Sequence, residues 1–189
     1  MSDYHTALAG QHQRWPALDR FECAAGVAFR HDLTQGLPVE FDQADVLYAD
    51  LPWRQGWDTF AQRAGTAQRG GYNAAMRGIG GLLRACNKPA IMVTGKHAQA
   101  ALAPDSVAPV RLNGGDAVAC LWGVPPWRHR LDASDLLADL AGQYRCVGDP
   151  CCGYGRAGRL FAQRGRRFVL SDLNPECIGY IAAHAAGWA

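Results

Sequence analysis

Short apolar runs alternate with segments of helical period along this chain, and together they predict an α/β fold with helices on both faces of a sheet. Seven apolar runs, each bounded by Gly, Pro, Asp or Asn, predict strands at 24–30, 45–49, 89–94, 107–112, 117–122, 144–148 and 167–171. Helical spacing predicts helices at 72–86, 98–102, 133–142, 157–164 and 175–186. Residues 4–20 suit either a helix or an N-terminal arm.

One connection between strands limits the topology. The Asn-Gly-Gly-Asp segment at 113–116 is too short for a crossover and suits a tight hairpin. The expected fold is therefore a mixed, doubly wound, seven-stranded sheet with one antiparallel strand. Ligands of such sheets bind at the carboxyl ends of the parallel strands.

A glycine-rich turn follows one of these strand ends. The strand at 144–148 leads through Asp149 to Gly153 and Gly155 and then into a helix. Glycines there let the backbone approach a ligand closely. Asp172 ends the next strand, where a carboxylate can accept the two hydroxyls of a ribose. The glycine spacing fits NAD as well as S-adenosylmethionine (SAM), but the chain continues for only 17 residues after Asp172, which favours SAM.

A second strand end carries an Asp-Leu-Pro-Trp segment at 50–53. An exocyclic amino group of a base is a poor nucleophile, because its lone pair is delocalised into the ring. If the Asp50 carboxylate and the Leu51 carbonyl each accept one N–H, the lone pair becomes available for methyl transfer. Pro52 stiffens the turn, and Trp53 offers a face on which an extruded base can stack.

The order of these segments resembles the DNA amino-methyltransferases that act on adenine N6 or cytosine N4, in the permuted arrangement where the catalytic segment comes first. Segment 50–53 resembles their Asp-Pro-Pro-aromatic motif, and segment 149–155 is similar to their Asp-Pro-Phe-x-Gly-x-Gly cofactor loop. Segment 170–175 resembles the ribose-binding strand end, and His31-Asp32 the acidic strand end near the adenine of the cofactor. The resemblance implies a Rossmann-like, three-layer methyltransferase fold with SAM as cofactor, DNA as partner and a phage or bacterial source.

The resemblance also assigns roles to individual residues. It implies catalytic roles for Asp50, Leu51, Pro52 and Trp53. It implies cofactor-binding roles for Asp32, Asp149, Pro150, Cys151, Gly153, Gly155, Asp172 and Leu173. Leu51 stands where the family has proline, Cys151 where it has phenylalanine, and Ala133-Ser134 where it has Lys-Pro. By analogy with the family, Asp at position 50 favours adenine over cytosine.

Residues 54–71 are expected to form a substrate loop within a single domain spanning 1–189. Phosphate-binding arginines and stacking aromatics predict nucleic-acid contacts, double- or single-stranded, for Arg54, Trp57, Arg63, Arg69 and Tyr72. The length leaves no room for a separate target-recognition domain, so we expect a short or relaxed sequence preference, unless a second subunit in a homodimer contributes recognition.

Composition narrows the setting. A net charge of +2 gives no strong global attraction to a polyanion, so nucleic-acid contacts must be local. Seven scattered cysteines match neither a disulfide framework nor a zinc motif, and no metal is expected. We predict a cytoplasmic protein that does not enter membranes, because no run approaches a membrane span.

Three other functions stay open from sequence alone. The methyl acceptor could be cytosine N4, or RNA instead of DNA. A catalytically silent cofactor-binding module would result if Leu51 distorts the acceptor geometry. An NAD-dependent oxidoreductase would need a hydride-transfer set, and no convincing one is present in the sequence.

Overall fold

The computed structural model describes residues 15–51, 71–96, 99–112, 115–127 and 131–188. Nine strands form one sheet in the order β1-β2-β9-β8-β3-β4-β6-β5-β7. They are β1 (Arg20–Cys23), β2 (Gly26–Arg30), β3 (Val46–Asp50), β4 (Ala90–Thr94), β5 (Ser106–Leu112), β6 (Gly115–Trp122), β7 (Leu131–Asp132), β8 (Cys146–Asp149) and β9 (Arg167–Asp172). The described α-helices are α1 (Gly71–Ala85), α2 (Gln99–Leu102), α3 (Ala133–Gln143), α4 (Arg156–Ala162) and α5 (Pro175–His184).

The predicted α/β fold is confirmed, but the prediction of seven strands and one antiparallel strand is wrong. Both β1 and β6 run antiparallel to their neighbours. The extra strand β1 pairs with β2 through a tight turn in which Cys23 lies opposite Gly26. It leaves only a weak sequence pattern because it is a mostly exposed edge strand of four residues. The other extra strand, β7, has only two residues.

The antiparallel hairpin of β5 and β6 is confirmed, with Leu112 opposite Gly115. β6 also pairs antiparallel with β4, while β5 pairs in parallel with β7. The hairpin therefore inserts one reversed strand into an otherwise parallel stretch of sheet.

The core lies on both faces of the sheet, as a three-layer fold requires. In β3, Val46 and Tyr48 join the buried cluster formed with α3, α4 and α5, while Leu47 and Ala49 join the cluster formed with α1 and α2. Alternate residues of one strand thus enter opposite layers, and the strand is apolar on both faces.

The parallel strands fix where a ligand can bind. β2, β9, β8, β3 and β4 are consecutive neighbours and all run in parallel. Their carboxyl ends therefore meet at one edge of the sheet, which we call the carboxyl edge.

Candidate functional site at the carboxyl edge

Three aspartates end three adjacent strands at the carboxyl edge. Asp172 ends β9, Asp149 ends β8 and Asp50 ends β3. The two segments singled out in the sequence, 50–53 and 149–155, therefore begin side by side although about a hundred residues separate them in the chain. This is the arrangement expected if one strand end holds a methyl acceptor and its neighbour holds the cofactor.

The glycine-rich turn is tied to the next strand by backbone N–H groups. Asp149 is 3% exposed and accepts a bond from Cys151 N at 3.1 Å. Cys152 N donates to Ser171 O at 3.0 Å, and the Ser171 hydroxyl donates to Pro150 O at 3.2 Å. The turn is thus anchored to β9.

Glycine is required at position 155 for packing. Gly155 has φ +74°, and a Cβ there would lie 2.7 Å from Cη2 of Trp188 and 3.0 Å from Cγ1 of Ile181. Gly153 has φ +49°, but a Cβ there would meet no atom of the described residues within 4 Å. Gly155 therefore faces the core, whereas Gly153 faces the open space where a ligand would approach.

Asp172 is held in position by two backbone donors. Gly153 N donates to Oδ2 at 2.9 Å and Asn174 N donates to Oδ1 at 2.9 Å. Burial raises the pKa of the Asp172 carboxyl, and these N–H bonds oppose that rise. Each oxygen keeps a lone pair for a ligand hydroxyl. Leu173 follows directly and is partly buried.

Asp32 lies just beyond the end of β2, next to Asp172. His31 N donates to Asp172 O at 3.0 Å, which joins the two strand ends. Oδ1 of Asp32 accepts from Thr34 N at 3.0 Å and from the Thr34 hydroxyl at 2.8 Å. Asp32 thereby caps the short 3-10 turn Leu33–Gln35 at the rim of the site.

Asp50 is the ionisable residue among the predicted catalytic residues. Burial raises its pKa from 3.8 to about 7, although the Arg156 guanidinium favours the ionised form. Leu51 is 2% exposed, so the chain leaves β3 through a buried residue. Pro52 and Trp53 lie outside the described residues, as do Arg54, Trp57, Arg63 and Arg69.

Tyr72 is the member of the predicted substrate-binding set that the structure describes. It lies in the first turn of α1, and its hydroxyl is 3.4 Å from the Thr94 hydroxyl at the end of β4. Since β4 neighbours β3, the structure brings Tyr72 to the carboxyl edge one strand away from Asp50.

Two polar residues at this edge were not singled out from the sequence. Tyr48 is 1% exposed, and its hydroxyl has no hydrogen-bond partner in the described part of the chain. Burial raises its pKa well above 10, with the Asp50 charge adding to the rise and the Arg156 charge opposing it. Arg156, at the start of α4, donates from Nη2 to the Ser134 hydroxyl at 2.7 Å. Their sequence signals were weak: Tyr48 precedes Asp50 by two positions on a strand, and Arg156 directly follows the glycine turn.

The described residues give three further findings. They contain no cluster of three metal-ligating side chains, and their helices include none long and apolar enough to cross a membrane. All seven cysteines are free thiols.

The five parallel strands, with one antiparallel strand inserted by the β5–β6 hairpin, form an α/β fold that other solved structures share. The model resembles the crystal structure of M1.HpyAVI with TM-score 0.51 and 12% identity, covering 84% of this chain and 97% of that one. The M1.HpyAVI–SAM complex gives TM-score 0.51 and 12% identity over 85% and 98% of the two chains. TTHA0409 of Thermus thermophilus, assigned as a DNA modification methylase, gives TM-score 0.50 and 14% identity over 77% and 87%. No family model and no curated protein sequence matches the chain.

Proposed function

We propose that this protein is a SAM-dependent DNA methyltransferase that modifies an exocyclic amino group, with adenine N6 as the acceptor. The observation that carries the proposal is the adjacency of Asp50 and the glycine-rich turn, which follow the neighbouring strands β3 and β8 at one edge of the sheet.

The charges of the carboxyl edge fit SAM. The cofactor carries a positive sulfonium and a positive ammonium group, and Asp50, Asp149 and Asp172 line three adjacent strand ends. A cation placed among them relieves the cost of burying carboxylates. NAD, which carries a pyrophosphate, would add negative charge to the same edge.

Each predicted cofactor-binding residue has a defined task in this proposal. Asp172, oriented by Gly153 N and Asn174 N, accepts the ribose hydroxyls. Asp32 and Leu173 flank the adenine. The remaining five residues form the turn beneath the amino-acid portion and the ribose: Asp149, Pro150, Cys151, Gly153 and Gly155. When bound, the cofactor supplies a methyl group activated by the positive sulfur.

Asp50 and Leu51 prepare the acceptor nitrogen. The ionised Asp50 carboxylate and the Leu51 carbonyl each accept one N–H of the base, which frees the nitrogen lone pair for in-line attack on the methyl carbon. The nitrogen would form a bond to the methyl carbon as the bond from that carbon to sulfur breaks, which would leave the neutral sulfide S-adenosylhomocysteine, and the nitrogen would then lose one proton. With a pKa of about 7, the Asp50 carboxylate can take up that proton at Oδ near neutral pH.

DNA is the proposed substrate because TTHA0409, which shares the fold, is named for DNA modification. The M1.HpyAVI–SAM complex supports the choice of cofactor. Pro52 and Trp53 are proposed to shape the base pocket. Arg54, Trp57, Arg63, Arg69 and Tyr72 are proposed to contact the nucleic acid, with short or relaxed sequence preference.

The test is incubation of the purified protein with methyl-labelled SAM and DNA of varied sequence, followed by mass analysis of the digested nucleosides. We expect N6-methyladenine in duplexes of many sequences. The Asp50→Ala variant should lose transfer while still binding the cofactor, because alanine has no side-chain oxygen to accept an N–H of the amino group.

Other products would change the proposal in defined ways. N4-methylcytosine, or methylation of RNA only, would contradict the proposal that adenine in DNA is the acceptor. Either result would still support a methyltransferase. Cofactor binding without transfer to any nucleic acid would identify a silent module, and binding of NAD instead of SAM would overturn the proposal. Strict dependence on a site of six or more base pairs would contradict the relaxed preference.

A further inference from the structure

Arg156 is a cation within a site otherwise lined by carboxylates. It follows the glycine-rich turn directly and begins α4, and its side chain is 24% exposed. Its charge opposes the rise in the Asp50 pKa that burial causes, so the guanidinium lies within electrostatic range of the proposed acceptor site. A charged side chain that is largely buried at a ligand edge needs a reason for its position.

The protein fixes this guanidinium without using up its donors. Nη2 donates to the Ser134 hydroxyl at 2.7 Å and lies 3.7 Å from Oδ1 of Asp132. Asp132 itself is committed to capping α3 through a bond from Ser134 N at 2.9 Å. Nε of Arg156 has no acceptor among the residues that the structure describes. An arginine has five N–H donors, so this one is pre-oriented and under-used.

A second buried donor without an acceptor belongs to Tyr48. The Tyr48 hydroxyl is buried and has no hydrogen-bond partner in the described ranges. The Arg156 charge opposes the rise in the Tyr48 pKa, so the hydroxyl lies within electrostatic range of the guanidinium. Two buried donors without acceptors are costly, and an anionic acceptor arriving nearby would reduce that cost.

We propose that Arg156 binds the carboxylate of the amino-acid portion of the cofactor, held in place by Ser134 at the entry of α3. This inference rests on the proposed function. Sulfonium and ammonium suit the aspartates, but the cofactor also has one carboxylate, and that group would be repelled by three aspartates unless a cation received it. Arginine suits this task because its planar fork pairs with both carboxylate oxygens.

The test compares two ligands that differ in the amino-acid portion. S-adenosylhomocysteine retains the carboxylate, whereas 5′-methylthioadenosine keeps the nucleoside and the sulfur but lacks the amino acid. Calorimetry should show that Arg156→Gln weakens S-adenosylhomocysteine by about 10- to 100-fold, the usual loss of a charge-assisted hydrogen bond. Affinity for 5′-methylthioadenosine should change less than about twofold.

Three further variants keep the test decisive. Arg156→Lys should recover part of the affinity for S-adenosylhomocysteine, because it keeps the charge but not the fork. Ser134→Ala should give a smaller, equally selective loss, and it remains informative if Arg156→Gln fails to fold. Arg164→Gln is the matched control, since Arg164 is exposed just beyond the end of α4 and its side chain donates from Nη1 to Leu160 O at 3.3 Å.

The outcomes separate this inference from the proposed function. Equal losses for both ligands, or no loss for either, would overturn the role of Arg156. Selective loss together with an absence of methyl transfer by the wild type would support Arg156 and refute the methyltransferase. Failure of the wild type to bind either ligand would refute both.

Discussion

Replacing Asp50 by Asn should make the ligand-free protein more stable, because it removes the buried carboxylate and keeps the shape of the side chain. Burial raises the pKa of Asp50 from 3.8 to about 7. Between these values the folded protein holds one proton that the unfolded chain has released. The stability that the neutral Asp50 carboxyl contributes is therefore fully present below pH 3.8, falls as the pH rises, and levels off above about 7.

The size of the effect follows from the same two pKa values. Relative to its value below pH 3.8, the free energy of unfolding is lower by ~2 kcal/mol at pH 5 and by ~4 kcal/mol at pH 8 because of Asp50. An amide of the same shape carries no such cost. The stability advantage of Asp50→Asn should thus grow by about 2 to 3 kcal/mol from pH 5 to pH 8, or roughly 6 to 12 °C in melting temperature.

Urea unfolding of both proteins without ligand, at pH 5, 6, 7 and 8, measures this difference directly. Asp139→Asn is the control, because Asp139 is exposed on α3 and its substitution should give curves parallel to the wild type. Asp149 and Asp172 keep raised pKa values in the variant, so its stability should still fall with pH, only less steeply. An Asp50→Asn variant that is less stable than the wild type at pH 8, or a difference independent of pH, would refute the reasoning.

Three further predictions concern the same edge. Methyl transfer should decline on the acid side with an apparent pKa near 7, because protonated Asp50 is a weaker acceptor and cannot take up the proton that the amino group loses. A pH profile of kcat/KM that stays flat down to pH 5 would contradict this. Gly155→Ala should lower the free energy of unfolding by about 2 to 5 kcal/mol, because of the positive φ and the overlap with Trp188. Gly153→Ala should lower it by about 1 kcal/mol and should instead weaken cofactor binding. Thermal unfolding and calorimetry distinguish the two variants, and equal stabilities would be inconsistent with the packing. Asn174→Ala should cost about 1 kcal/mol, since Asn174 caps α5 by accepting from Glu176 N at 3.0 Å, and unfolding by urea measures it; an unchanged midpoint would show that the cap contributes nothing.

The buried strands could be predicted because their sequences leave little choice. The runs at 45–49, 89–94 and 167–171 agree within one residue with β3, β4 and β9, since each must be apolar on both faces. Edge strands lack that constraint. β1 shows mostly exposed side chains and β7 is two residues long, so neither leaves a pattern in the sequence.

The site divides in the same way. Asp50, Asp149 and Asp172 could be found because each ends an apolar run, and parallel strands bring such ends to one edge. The Arg156 contact with Ser134 could not be predicted, because the two residues are 22 positions apart in the chain and their contact depends on how α3 and α4 pack. The raised pKa of Asp50 likewise depends on burial, which local sequence does not specify.

In the proposed function, burial of the carboxylates at the carboxyl edge would strengthen binding of a cation and lower the stability of the ligand-free protein. Burial raises the pKa of Asp149, its bond from Cys151 N opposes that rise, and the charges of Asp50 and Asp172 add to it. Without a ligand these groups favour protonation, and a bound cation would favour their ionised forms. Binding of a sulfonium compound should therefore release protons near pH 7, and its neutral sulfide analogue should release fewer. The edge would then discriminate between SAM and its demethylated product by charge, which is the difference that methyl transfer itself creates.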